Sequence, residues 1–190
     1  MMVRYPIADK ALSDVNGDIA VVESHRNHLL VILVDGAGHG MRAHQIACKM
    51  VRYLQTHQAS DLPKLMSDLH SQFLGTRGGV AIIGKLSLLE RHFKYVAIGN
   101  IFIRHVGDSA KYLPTQDGVL GYSIRTPKLN TVALEEGDSL VLHTDGISMR
   151  LTEVDCRNMG RIESNKMALQ IINRFAKNDD DACCVVMTFS

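Results

Sequence analysis

Residues 28–40 constrain this chain more than any other stretch. From Leu29 to Val34 the sequence is continuously apolar. A strand of that composition needs cover on both faces, so the sheet holding it must lie inside a layered fold. The run stops at Asp35-Gly36, and Gly38 and Gly40 mark a tight turn just beyond. Ala43, Ala47, Met50 and Leu54 then recur at helical spacing and give one apolar helix face. A buried strand, a turn and a helix packed back over the strand are thus written in one piece, with an acid at the junction.

The remaining elements fit around this unit. Residues 18–24 and 28–34 read as two strands joined by His25-Arg26-Asn27. Ser60-Asp61 offers a helix cap with Pro63 in the first turn. Leu62, Leu65, Met66, Leu69 and Phe73 continue that helix as far as a stop at Gly75. Residues 80–89 and 93–98 read as a hairpin turning at Glu90-Arg91-His92, and 101–106 and 139–143 as further strands. Residues 107–128 read as an irregular, turn-rich segment. Ser164 would cap a third helix bearing Met167, Ile171 and Phe175, and 182–189 would close the chain as a strand. The order is strands, two helices, strands, helix, strand, which is mixed α and β rather than strict βαβ alternation. No repeat or linker divides the 190 residues, so a single domain over 1–190 is expected.

Composition removes several function classes. With 21 basic and 20 acidic residues the formal charge is +1, without the basic excess of a nucleic-acid-binding surface. No apolar run near the start approaches the ~20 residues of a membrane span, and no targeting signal is visible. A soluble cytoplasmic protein without a membrane partner is expected. Cys48, Cys156, Cys183 and Cys184 include no C-x-x-C pair, so they read as reduced, mostly buried thiols rather than zinc ligands. His25, His28, His44, His57, His70, His92, His105 and His143 lack metal-ligand spacing and read as surface or strand-face residues.

Acidic residues recur where apolar strands meet turns: Asp18 after Gly17, Asp35 before Gly36, Asp145 before Gly146, and Asp179-Asp180-Asp181 before Ala182. Carboxylates gathered at a core edge repel one another and lose hydration, so such a cluster suits a hard cation. All-oxygen ligation favours Mg2+ or Mn2+. A glycine after the ligand lets the backbone turn sharply and leaves its carbonyl free to coordinate. The plainer alternative is that each Asp-Gly is an ordinary turn, and spacing alone does not show that the four places converge.

The motifs carry a resemblance. Asp35-Gly36-Ala37-Gly38-His39-Gly40, with Ala43 following, resembles the D-x-x-G-H-G-x-x-A signature of bacterial metal-dependent protein phosphatases of the PPM (type 2C) superfamily, in its SpoIIE-like branch. Gly17-Asp18, Gly99-Asn100, the run from Gly137 to Gly146 with its Thr144-Asp145-Gly146, and Asp180-Asp181-Ala182-Cys183 resemble further family motifs in the family's order. The resemblance spans about residues 14–190. A stand-alone chain of this length looks most like the RsbX-type stressosome phosphatases, which act on phosphorylated STAS-domain proteins.

The resemblance implies an α+β fold, a four-layer α-β-β-α sandwich of two mostly antiparallel sheets flanked by helices. It also implies two Mn2+ or Mg2+ ions, bridged by Asp35. Asp145 and Asp180 would complete one site, and Asp18 with the Gly36 carbonyl the other. Asp181 could replace Asp180, because consecutive aspartates leave the register open. The attacking water would act directly on phosphorus, in a monomer. The chain departs from the family at Cys183 (usually Thr), at Val80 (often Thr) and at Ala37, where the eukaryotic branch has a His. His39 is the candidate proton donor, with helix-start structure as the competing role. Two other classes stay open: a catalytically inactive phosphatase-like binding module in a signalling complex, and a metallohydrolase for small phosphoesters.

Overall fold

The computed structural model describes residues 2–59, 61–148, 152, 155 and 166–190. Thirteen strands and three helices are defined among them. Strands β1 (Val3–Arg4), β2 (Ile7–Lys10), β3 (Asp18–Ser24) and β4 (Leu29–Gly36) precede helices α1 (Gly40–Thr56) and α2 (Leu62–Gln72). Next come β5 (Gly79–Ser87), β6 (His92–Ile98), β7 (Phe102–Val106), β8 (Ala110–Tyr112), β9 (Gly118–Val119), β10 (Ser123–Ile124), β11 (Asn130–Ala133) and β12 (Ser139–His143). Helix α3 (Met167–Phe175) and β13 (Ala182–Phe189) end the chain.

Two antiparallel sheets form the middle layers. One has the order β11-β6-β5-β4-β3; the other has the order β1-β13-β12-β7-β8, with β2 also paired to β13. The unbroken apolar run of β4 is explained by its neighbours. Val31 and Leu33 face the other sheet, packing with Ile82, Ile103, Leu142 and Val185. Leu30, Ile32 and Val34 face α1 and α2, packing with Met50, Leu54, Leu65 and Leu69. On the outer face of the second sheet, Val141, Cys184 and Val186 are covered by Met167, Ile171 and Ile172 of α3. The layers are therefore α1/α2, sheet, sheet and α3, which is the expected α-β-β-α sandwich. No helix among the described residues is long and apolar enough to cross a membrane.

Asp61 caps α2 by accepting a hydrogen bond from Lys64 N at 3.4 Å, with Pro63 in the first turn. Ser164 and Cys156 lie outside the described residues. The segment 107–128 differs from expectation, because β8, β9 and β10 form within it. Strands β1, β2 and β11 likewise have no sequence signal. Each is two to four residues long and is held by a longer partner, β13 or β6, rather than by its own propensity. Cys183 and Cys184 are buried and Cys48 is exposed, and none of the three is in a disulfide among the described residues.

Candidate metal centre

The β3–β4 register sets Asp18 directly opposite Asp35 at one end of the five-stranded sheet. Asp18 is only 5% exposed, and its Oδ2 is buried without a hydrogen-bond partner among the described residues. A carboxylate oxygen in that state is costly unless something positive meets it. Gly36 follows Asp35 in the same strand. A Cβ placed there would lie 2.4 Å from the carbonyl oxygen of Ala43, so only glycine lets α1 close over the end of β4. Gly38 (φ 94°) and Gly40 (φ 70°) shape the turn between them. His39 is the N-cap residue of α1, and its side chain makes no capping hydrogen bond. That ring is exposed and borders the cleft.

The second sheet contributes from two chain segments. Asp145 lies just beyond β12 and accepts a hydrogen bond from Asn100 Nδ2 at 2.5 Å. Asp180 and Asp181 immediately precede β13, and their surroundings separate them. Asp181 is 2% exposed; its Oδ1 accepts from Leu12 N at 2.7 Å and its Oδ2 from Gly17 N at 2.9 Å. Both its oxygens are thus used to hold the approach to β3. Asp180 Oδ1 accepts from the neighbouring Asp181 N, at 3.0 Å, and Asp180 borders the cleft. Thr144 is buried; its Oγ1 accepts from Cys183 N at 2.9 Å, and its hydroxyl also reaches Asp18.

The cleft of about 290 Å³ is bordered by Asp35, His39, Asn100, Asp145 and Asp180. Arg77 brings a guanidinium to its rim, since a Cβ on Gly38 would lie 3.0 Å from Arg77 Nη1. Electrostatics show how strained this gathering is without cations. Burial first, and then the charges of Asp18, Asp145, Asp180 and Asp181, push the Asp35 carboxyl up to about 8. Burial likewise raises Asp18 to about 7, against the opposing hydrogen bond from Thr144. Asp180 is raised by burial and by Asp145. Each cause disfavours negative charge, and a bound cation would reverse it. No three His, Cys, Asp or Glu side chains among the described residues close around one point tightly enough to hold an ion. The acids therefore form a repelling set.

The sequence-predicted residues Asp18, Asp35, Gly36, Asp145, Asp180 and His39 thus share one edge of the sandwich. Asn100 and Thr144 stood within quoted motifs, but their bonds to Asp145 and Asp18 depend on the fold. Arg77 had no local signal at all. His143 takes the strand-face place among the two read from the sequence: it is fully buried on β12, stacked on Phe102 with centroids 5.1 Å apart. Burial holds its pKa down at about 4, so it stays neutral beside Asp145 at ordinary pH.

Comparison with known proteins settles the kinship. The profile of Stage II sporulation protein E (SpoIIE) matches residues 25–190. The chain belongs to the SpoIIE family. Asp18 lies ahead of the matched span, and the ladder with β4 is what brings it to the family's motif. Among curated relatives, phosphoserine phosphatase RsbX of Bacillus subtilis is 22% identical over 173 residues, covering 90% of this chain and 87% of that protein. Among solved structures, RsbX in complex with magnesium superimposes with a TM-score of 0.85 at 18% identity, covering 99% of this chain and 96% of that one. A chain solved in work on the bacterial stressosome, described as a modular system adapted to control secondary messenger signaling, gives a TM-score of 0.89 at 21% identity, covering 98% and 100%. The SpoIIE-family chain shares its sandwich fold with both.

Proposed function

We propose that this chain is a metal-dependent phosphoserine/phosphothreonine protein phosphatase. The observation that carries the reading is the convergence of Asp18, Asp35, Asp145 and Asp180 from four strand ends, with one Asp18 oxygen buried and without a hydrogen-bond partner among the described residues. The donor set is all oxygen, which suits Mg2+ or Mn2+. Asp18, Asp35, Asp145, Asp180 and the Gly36 carbonyl would hold the cations. Asp181 is left in a positioning role, since both its oxygens already hold backbone amides. When bound, the cations supply an acidified water to attack phosphorus and positive charge to offset the phosphoryl oxygens.

The chain's own residues do the rest. Asn100 holds the Asp145 carboxylate by its Oδ2, leaving Oδ1 for ligation. Arg77 offers its guanidinium to the phosphoryl group at the cleft rim. His39, exposed and free of a capping duty, donates the proton to the leaving serine oxygen. The enzyme proposed is a monomer. The resemblance to RsbX and to a stressosome chain supports a phosphorylated protein of a stress-signalling complex as substrate; the proposal takes it to be a STAS-domain protein met in the cytoplasm. The inactive binding module finds no support in the cluster or in the relatives.

The test is phosphate release from a phosphorylated STAS-domain protein, with EDTA and then with Mn2+ restored. Turnover that appears only with the metal, and that far exceeds the rate on p-nitrophenyl phosphate, is expected. Equal turnover in EDTA would refute the reading.

A further inference from the structure

A cavity of about 640 Å³ opens between the β3–β4 and β5–β6 turns, at the other end of the five-stranded sheet from the carboxylates. The six-residue path along β4 from Leu29 to Asp35 separates the two places by roughly 20 Å. Arg26, His28, Lys85, Leu89 and Lys94 are among its walls.

Three observations mark the cavity as built for negative charge. Lys85 and Lys94 stand directly opposite one another across β5 and β6. Like charges in that position destabilise a strand pair, and Arg26 adds a third cation from the neighbouring turn. Second, the Nε2 atoms of His25 and His28 are buried without a hydrogen-bond partner among the described residues, although that of His25 faces Glu23 Oε2 at 3.5 Å, the distance of a loose ion pair. Their rings are stacked, 5.2 Å between centroids. Third, the carboxylates nearby are engaged. Glu23 accepts from Gln55 at 2.5 Å and stays 3.5 Å from His25; Glu90 pairs with His92 at 3.1 Å; Asp61 caps α2. Of these three, only Glu90 lines the cavity. Burial lowers the pKa of Lys85 against the pull of Asp61, and burial, then Lys85 and His25, lower that of His28. The wall of the cavity therefore carries more positive than negative charge, with Arg26, Lys85 and Lys94 against Glu90. At the rim, Leu89 is 92% exposed and offers an apolar contact beside the cations.

We propose that this end of the sheet binds an acidic segment of a partner polypeptide. Its oxyanions would sit between Arg26, Lys85, Lys94 and the two imidazoles, with an apolar side chain against Leu89. The volume suits several residues rather than a lone ion, being well within the range of pockets for extended ligands. A second contact on the far end of the molecule would raise the effective concentration of a bound partner without touching the chemistry.

A fluorescein-labelled oligoglutamate peptide, followed by anisotropy on the intact protein, tests this. Binding is expected at low ionic strength and should weaken as salt rises. The R26E/K94E variant should lose about tenfold or more in affinity. Its metal-dependent hydrolysis of p-nitrophenyl phosphate should be unchanged, and its melting temperature unchanged or higher, since the Lys85–Lys94 repulsion is relieved. Ring signals of His25 and His28 should move on peptide addition in nitrogen-detected NMR. Absence of binding at low salt, equal affinity in the variant, or inorganic phosphate binding as tightly as the peptide would each overturn the proposal. These readouts stand whether or not the far cleft proves to be a phosphatase site.

Discussion

Replacing Asp35 by Asn should stabilise the metal-free protein. Asp35 is held at about 8 in the fold against an ordinary value of 3.8. The folded state therefore keeps a proton that the unfolded chain has released, and stability falls as pH rises from about 4 to about 8. Each pH unit in that window costs about 1.4 kcal/mol, which gives roughly 4 kcal/mol by pH 7. The amide keeps the shape of the side chain and removes the charge. It also relieves Asp18, which is raised partly by the same cluster, so the pair shares the gain rather than doubling it. For a chain of this size, ~4 kcal/mol corresponds to a melting shift on the order of 10 °C. The assay is thermal unfolding by circular dichroism in EDTA, at about pH 5 and about pH 8. Wild type should lose stability between the two, and the variant should lose much less. With Mn2+ the order should reverse, because the ion stabilises the charged wild-type cluster. A D35N protein no more stable than wild type in EDTA at pH 8 would refute the reasoning.

Other substitutions probe separate parts of the site. His39→Ala should lower kcat on a phosphoserine substrate by about 100-fold and much less on p-nitrophenyl phosphate, whose leaving group needs no proton; equal losses on both substrates would assign His39 to structure. Gly36→Ala should destabilise by about 3 kcal/mol in urea titrations, since its Cβ would press on the Ala43 carbonyl at 2.4 Å. Asp181→Ala would leave the Leu12 and Gly17 amides without acceptors; a loss of about 2–5 kcal/mol and weaker Mn2+ binding are expected, checked by urea unfolding and calorimetry.

Much of this was legible along the chain. The apolar run ending at Asp35 declares a strand covered on both faces, because each of its side chains needs an apolar neighbour whichever way it points. Glycines after the acids declare tight approaches, and Gly36 against Ala43 and Gly146 against the Asp181 carbonyl bear this out. What escaped the sequence depends on partners distant in the chain. The difference between Asp180 and Asp181 rests on two amides more than 160 positions away, where Leu12 and Gly17 meet the second carboxylate. Asn100 reaches Asp145 across 45 positions. His143 looks like any strand histidine until Phe102 stacks on it. The Lys85–Lys94 pair exists only through strand register, since neither lysine is unusual in its own segment. Short strands such as β2 carry no pattern of their own and exist because β13 offers an edge.

The central claim is that carboxylates from separate strand ends hold the cations that drive phosphate release. Asp145→Asn addresses it most directly, because the amide can still accept the hydrogen bond from Asn100 and so leaves the fold unchanged. Mn2+ should be titrated calorimetrically into wild type and variant, with phosphate release from a phosphoserine protein measured on the same samples. The account predicts Mn2+ binding by wild type, strongly weakened binding and lost turnover in the variant, and a melting temperature in EDTA no lower than that of wild type, since Asp145 is one of the charges that raise Asp35. A D145N protein that binds Mn2+ and releases phosphate as wild type does would contradict it.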